Sequence, residues 1–229
     1  MTELSLGVIE PFGSPVWGSN LAVFSNISGD FIPEPEAKEY ISRACRYAKH
    51  YSVYLVPERF MLLGYQCMCL ISPGGKVLGA QKCIFWNART RTGKRSTVLE
   101  VFSTEFGGVA LCVDVDIYRP EISRVAADMG AQTLICSQQI AEGDYNSGMV
   151  VSGVWGAAQS NPLYAVSVTN EFNCVCAPRA LTKHNDGFVV TPNLKIPMTA
   201  KLSIPELSGL TPRFCLNRRL YAVHRQELL

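Results

Sequence analysis

The stretch Gly108-Val109-Ala110-Leu111-Cys112-Val113-Asp114-Val115-Asp116-Ile117-Tyr118-Arg119-Pro120-Glu121, continuing as Ile122-Ser123-Arg124-Val125-Ala126-Ala127-Asp128-Met129-Gly130-Ala131, decides the fold. Residues 109–113 form an unbroken apolar run, the signature of a strand buried on both faces. Pro120 opens a helix because its fixed φ suits the first turn and its missing N–H would have no partner there. Glu121 complements the positive end of the helix dipole, and Gly130 closes the helix. A buried strand that turns sharply into a helix is an elbow, and an elbow holds a side chain at the strand end for chemistry.

Outward from the elbow, strand-like and helix-like segments alternate. Strands are expected over 4–9, 21–24, 52–56, 66–72, 76–81, 98–103, 132–136, 164–169, 187–190 and 199–202. Pro73-Gly74-Gly75 makes the strands around it a hairpin, and Glu105 to Gly108 is a turn. The gap holding Pro11, Gly13, Pro15 and Gly18 is too rich in breakers for a helix. Residues 36–50 place Ala37, Tyr40, Ile41, Ala44, Cys45 and Ala48 at helical spacing, with acidic residues early and Lys49 and His50 late, matching the dipole. A further helix is expected over 147–160. Hairpins mixed with helices favour an α/β fold of two packed sheets covered by helices over one parallel sheet.

Composition narrows the function. The 229 residues suffice to close one large core, so a single domain over 1–229 is expected. A formal net charge of +2 with 17% charged residues gives no global field for nucleic acid. The basic run from Arg89 to Arg95 is local and reads as a solvated loop between strands, or as the guard of an anionic ligand. There is no run of about twenty apolar residues to span a membrane, and no basic region followed by an apolar stretch to act as a signal peptide, so a cytoplasmic protein is expected. Nine cysteines lie mostly within apolar strands, as small buried hydrophobes do in a reducing compartment. Cys67 with Cys69, and Cys174 with Cys176, share a strand face by period two, but no finger-like set of further ligands follows, so no metal or other cofactor is expected.

Registered on Asp116, Pro120 and Glu121, the elbow resembles the nucleophile elbow of the nitrilase (carbon–nitrogen hydrolase) superfamily: a Gly, a few apolar residues, Cys-aromatic-Asp, then Pro-Glu. Leu70-Ile71-Ser72-Pro73-Gly74-Gly75-Lys76-Val77-Leu78-Gly79 is similar to the strand–turn–strand before that family's catalytic lysine. Ala157-Ala158-Gln159-Ser160-Asn161-Pro162-Leu163-Tyr164-Ala165-Val166 is similar to its Arg-Ala-x-Glu-Asn step into a strand, and Asp186-Gly187 and Arg218-Arg219-Leu220-Tyr221 also have counterparts. The resemblance implies a four-layer α-β-β-α sandwich, a homodimer, and a small amide- or carboxylate-containing ligand.

In that family a cysteine thiolate attacks the carbonyl or nitrile carbon, a glutamate moves protons and a lysine stabilises the developing charge. The resemblance assigns these positions to Asp114, Asn26 and Lys82 respectively. A one-residue slip would replace Lys82 by Cys83, and such a slip turns the side chain to the other sheet face. A frame matching Cys112 and Asp114 to Cys-x-Asp needs a two-residue insertion before Pro120. An amide at Asn26 accepts no proton at useful pH. A carboxylate at Asp114 is a feeble nucleophile toward an amide, because the mixed anhydride it would form is less stable than a thioester.

The resulting expectation is a pseudoenzyme that keeps a pocket for binding or regulation and hydrolyses no ordinary amide or nitrile. The alternative is an active amidase with relocated residues Glu58, Lys82 and Cys112, Glu58 lying in Val56-Pro57-Glu58. A third reading is an interaction module that uses only the sandwich surface. If the register holds, Lys82 and Asp114 face one another at the mouth of the sheets as an ion pair, with the Asn26 amide donating to it.

Overall fold

The computed structural model describes residues 3–26, 29–85 and 93–210. The strand β1 (Leu4–Ile9) lies parallel to β2 (Leu21–Phe24), which lies parallel to β3 (Tyr54–Val56) after the helix α1 (Glu34–Tyr51). Two antiparallel additions, β4 (Phe60–Leu62) and β5 (Tyr65–Ile71), extend that sheet, and β6 (Val77–Lys82) pairs with β5 through the hairpin at Pro73-Gly74-Gly75. The second sheet begins with the hairpin β7 (Val101–Thr104) and β8 (Gly107–Val113). After the elbow come α2 (Pro120–Asp128), β9 (Ala131–Gln138), α3 (Ser147–Val150), α4 (Gly156–Ser160), β10 (Tyr164–Thr169), β11 (Asn173–Cys176) and β12 (Phe188–Asn193). The strand β13 (Met198–Leu202) returns to pair antiparallel with β1, and α5 (Ile204–Ser208) follows.

The sheet orders are β13-β1-β2-β3-β5-β4 and β12-β11-β10-β9-β8-β7. Strand alternation sorts the side chains into three apolar layers. Leu6, Val8, Leu21, Val23 and Met68 of the first sheet meet Val109, Leu111, Val113, Ile135 and Val166 of the second. On the outer face of the first sheet, Ala22, Phe24, Leu55, Cys67 and Cys69 pack under Ala37, Ala44 and Ala48 of α1. On the outer face of the second, Ala110, Cys112, Leu134, Cys136 and Cys174 pack under Ile122 and Ala126 of α2 and Ala157 and Ala158 of α4. The layers run helix, sheet, sheet, helix, which is the α-β-β-α sandwich.

Several boundaries differ from the periodicity, each for a local reason. The strand expected from residue 98 starts at Val101, because the Gln81 side chain takes the Val98 carbonyl at 3.0 Å and the Glu100 N–H at 2.9 Å, leaving that stretch no ladder to join. The helix expected over 147–160 is interrupted by a π turn, Val151–Trp155, at Gly153 (φ −94°, ψ −113°). A Cβ at Gly153 would come 3.2 Å from the Tyr118 ring, so a close approach to the elbow replaces the straight helix. Strand β4 has no counterpart among the expected elements, being three residues long. Arg89 to Thr92 of the basic run and the closing Arg218-Arg219-Leu220-Tyr221 lie outside the described residues.

Candidate functional site

The elbow forms where β8 ends. Asp114 adopts φ +54°, the left-handed region that costs a side-chain-bearing residue about 1–3 kcal/mol. Aspartate is among the few residues that tolerate it, through local hydrogen bonding. A single 3₁₀ turn, Asp114–Tyr118, then leads into α2 at Pro120.

Asp114 is 2% exposed, and its partner is Arg59 rather than Lys82. Arg59 lies between β3 and β4 and is fully buried, with Nη1 3.9 Å from Oδ1 of Asp114. Its Nη2 donates to the Gly29 carbonyl at 2.5 Å, and its guanidinium lies 4.3 Å from the centre of the Phe31 ring. Burial lowers the Arg59 pKa and the Asp114 charge opposes that shift; an arginine nevertheless stays cationic in a protein. The Gly29 N–H donates to the Asn26 carbonyl at 3.1 Å, and the Asn26 amide donates across the sandwich to the Gln138 carbonyl at 2.8 Å. Asn26 and Asp114 are therefore brought to one mouth, joined through Gly29 and Arg59. The buried atoms Ser25 Oγ, Asn26 Oδ1, Arg59 Nε and Ser137 Oγ have no hydrogen-bond partner among the described residues.

Lys82 is not at this mouth, which corrects the expected Lys82–Asp114 pair. Its register partner across β5 and β6 is Cys67, whose side chain lies in the outer layer beneath α1. Directly paired residues share a sheet face, so Lys82 points outward, its Nζ 4.7 Å from the centre of the Tyr65 ring. The next residue, Cys83, turns inward. Its thiol donates to the Phe85 carbonyl at 2.8 Å and lies 3.9 Å from Oδ1 of Asp116. Burial first, then the Asp116 and Asp114 carboxylates, push that thiol well above its ordinary pKa.

Asp116 fixes the chain at that point. Oδ2 accepts the Ile84 N–H at 2.9 Å and Oδ1 accepts the Phe85 N–H at 2.7 Å. Its pKa is pushed up to about 7, chiefly by burial and partly by the Asp114 charge, against the lowering effect of the two backbone donors.

The relocated set is not assembled either. Glu58 is bonded to the Tyr40 hydroxyl at 3.0 Å, facing α1. Burial raises its pKa, while the Tyr40 hydrogen bond and Arg59 act to lower it. Cys112 is 1% exposed in the layer beneath α2, on the sheet face opposite Leu111 and Val113, and burial followed by its contact with Cys136 raises its thiol pKa strongly. Glu58, Lys82 and Cys112 thus occupy an α1-facing strand end, an outer sheet face and a helix-covered core. The residue that sequence reasoning missed is Arg59. Phe60 packs outward under α1, so by period two its neighbour Arg59 faces the other sheet.

No known family's sequence pattern matches this chain, and no curated protein matches it in sequence. Solved structures do match in fold. The carbon–nitrogen hydrolase of Helicobacter pylori G27 superposes with a TM-score of 0.73 at 14% identity, over 97% of this chain and 94% of that one. Nit3 of Saccharomyces cerevisiae, a nitrilase superfamily member, gives 0.74 at 12% identity, over 95% and 97%. An amidase from Nesterenkonia sp. gives 0.69 at 14% identity, over 96% and 95%. The chain has the fold of the carbon–nitrogen hydrolases along almost its whole described length.

Proposed function

We propose that this chain is a carbon–nitrogen hydrolase fold without amide-hydrolysing chemistry, which uses the former catalytic mouth to bind a small ligand or to regulate. The observation that carries the reading is the buried Arg59–Asp114 pair at the elbow, where the family resemblance puts a cysteine nucleophile. Asp114 brings a carboxylate in place of a thiolate and Asn26 brings an amide in place of a proton carrier, and groups that act as a unit fail together. The inward thiol, Cys83, sits beside two carboxylates and is held protonated, so it offers no thiolate. A small amide- or carboxylate-bearing ligand is the class proposed for the mouth. The Nε of Arg59, without a hydrogen-bond partner among the described residues, supports an acceptor on that ligand, and the Oδ1 of Asn26, likewise without one there, supports a donor.

The test is incubation with acetamide, N-carbamoyl amino acids and simple nitriles, with ammonia release as readout, and with fluoroacetamide followed by intact mass measurement. No turnover and no selective cysteine adduct are expected. Turnover abolished by Cys112→Ala would overturn the reading in favour of the relocated hydrolase. From the family resemblance we also propose a single domain that pairs as a homodimer in the cytoplasm. Light scattering at micromolar concentration giving a 25.2 kDa particle would remove the dimer.

A further inference from the structure

The half of α1 that follows Ser42 carries more positive charge than the helix end requires. Lys49 and His50 lie in the last turn and complement the dipole there. Arg43 and Arg46 stand before that turn and are exposed, and neither has a carboxylate within 4.0 Å among the described residues, although Glu39 lies one turn ahead of Arg43. Each is held by a neutral neighbour instead. The Arg43 guanidinium stacks 3.7 Å from the centre of the Phe12 ring, which leaves its N–H edge free, and Arg46 Nη1 donates to Ser42 Oγ at 3.0 Å.

Phe12 meets the helix where the chain after β1 passes through the left-handed region (φ +60°), which a bulky residue rarely adopts. Its ring packs edge-on against Tyr40 and Tyr47, and Tyr47 is fixed by its hydroxyl, which donates to the Gly13 carbonyl at 2.6 Å. Tyr51 is 39% exposed and lies against Tyr47 and His50, with ring centres 4.7 and 4.6 Å away. Phe12, Arg43, Arg46, Tyr47, His50 and Tyr51 thereby line an open depression of about 480 Å³ on the outer side of the first sheet. That volume falls within the range of small-ligand sites, about 300–1,000 Å³.

We propose that this depression binds a phosphate monoester that carries a flat ring, the chemistry of a nucleoside monophosphate. The charge selects the head group. Two guanidinium forks without a counter-ion match a group of about −1.5 to −2 charge with three acceptor oxygens, whereas a carboxylate would balance only one of them. His50 adds a ring N–H. The aromatic wall selects the rest, because an exposed tyrosine beside a buried one offers a face on which a base stacks. None of these residues belongs to the mouth, so the site does not depend on what the mouth does.

Isothermal titration of the full chain with AMP, ribose 5-phosphate and adenosine, at about 50 mM salt where exposed charges are weakly screened, tests it. AMP is expected to bind with a dissociation constant below about 1 mM, and the two fragments, each lacking half of the ligand, at least about fivefold more weakly. Arg43→Gln and Arg46→Gln replace exposed side chains outside the core, and each should weaken AMP about three- to tenfold. Tyr51→Ala should weaken it about fivefold or more. The proposal is overturned if AMP does not bind, if either fragment binds as tightly as AMP, or if AMP binds the three variants as it binds the wild-type chain, which would place it elsewhere on the molecule.

Discussion

Replacing Arg59 by Met tests the placement of the whole site. At 3.9 Å the attraction between Arg59 and Asp114 is about 4 kcal/mol in an effective dielectric of about 20. Taking each ion out of water costs several kcal/mol, so the intact pair roughly breaks even against an apolar pair of the same volume. Breaking it is different. Met keeps most of the buried stem but removes the guanidinium, leaving the Asp114 carboxylate 2% exposed without that cation and the Gly29 carbonyl without its donor. A loss of about 3–5 kcal/mol is expected, a large part of a total stability of roughly 5–15 kcal/mol. Asp114→Asn keeps the tolerance for positive φ and removes the charge, so in the double variant the buried-charge penalty disappears and the loss is about 2 kcal/mol less than the sum of the singles. Urea denaturation read by fluorescence gives the three values, with the denaturant slope checked for constancy. A loss below about 1 kcal/mol for Arg59→Met, or single losses that add within about 0.5 kcal/mol, would refute the pair as the core of the site. If Arg59→Met does not fold, Arg59→Lys supplies the cycle, since it keeps the charge while losing the planar fork.

Lys82→Met should cost less than about 1 kcal/mol, because the ammonium stands over an outer-face tyrosine and pairs with no buried carboxylate among the described residues; a loss near that of Arg59→Met would return Lys82 to the mouth. Asp116 binds its proton more tightly in the folded chain than in the unfolded one, so its contribution is fully present below about pH 4 and is lost as pH rises through about 7. That amounts to roughly 4 kcal/mol across the window at 1.36 kcal/mol per unit, and Asp116→Asn should flatten that part of the stability profile in denaturation measured pH by pH. Among the described cysteines Cys45, the half-buried one, should react first with a thiol reagent under native conditions, and peptide mapping that finds Cys83 or Cys112 labelled first would contradict the protonated, buried state of those thiols.

The local chemistry of the sequence determined the layers. The apolar run of residues 109–113 and the β-branched run of 164–169 read as strands, Pro120 and Gly130 bound a helix, and Pro73-Gly74-Gly75 is a turn on its own account. Asn26 and Asp114 were proposed as site positions by the family resemblance, and each follows the end of a buried strand. What sequence could not determine is which face a side chain takes after its strand has ended. Lys82 and Cys83 differ by one position at the end of β6, and the pairing of Lys82 with Cys67, set by the hairpin, sent the lysine out and the thiol in. Arg59 is the clearer case. In sequence it is a charged residue between a proline-bounded strand and a three-residue strand, a place that usually means solvent. Only the packing of two sheets makes it interior: the second sheet brings Asp114 up to it, Gly29 offers its carbonyl, and a guanidinium can stay buried only where charge and acceptor arrive together. Those partners are 55 and 30 residues away along the chain, so no local pattern records them.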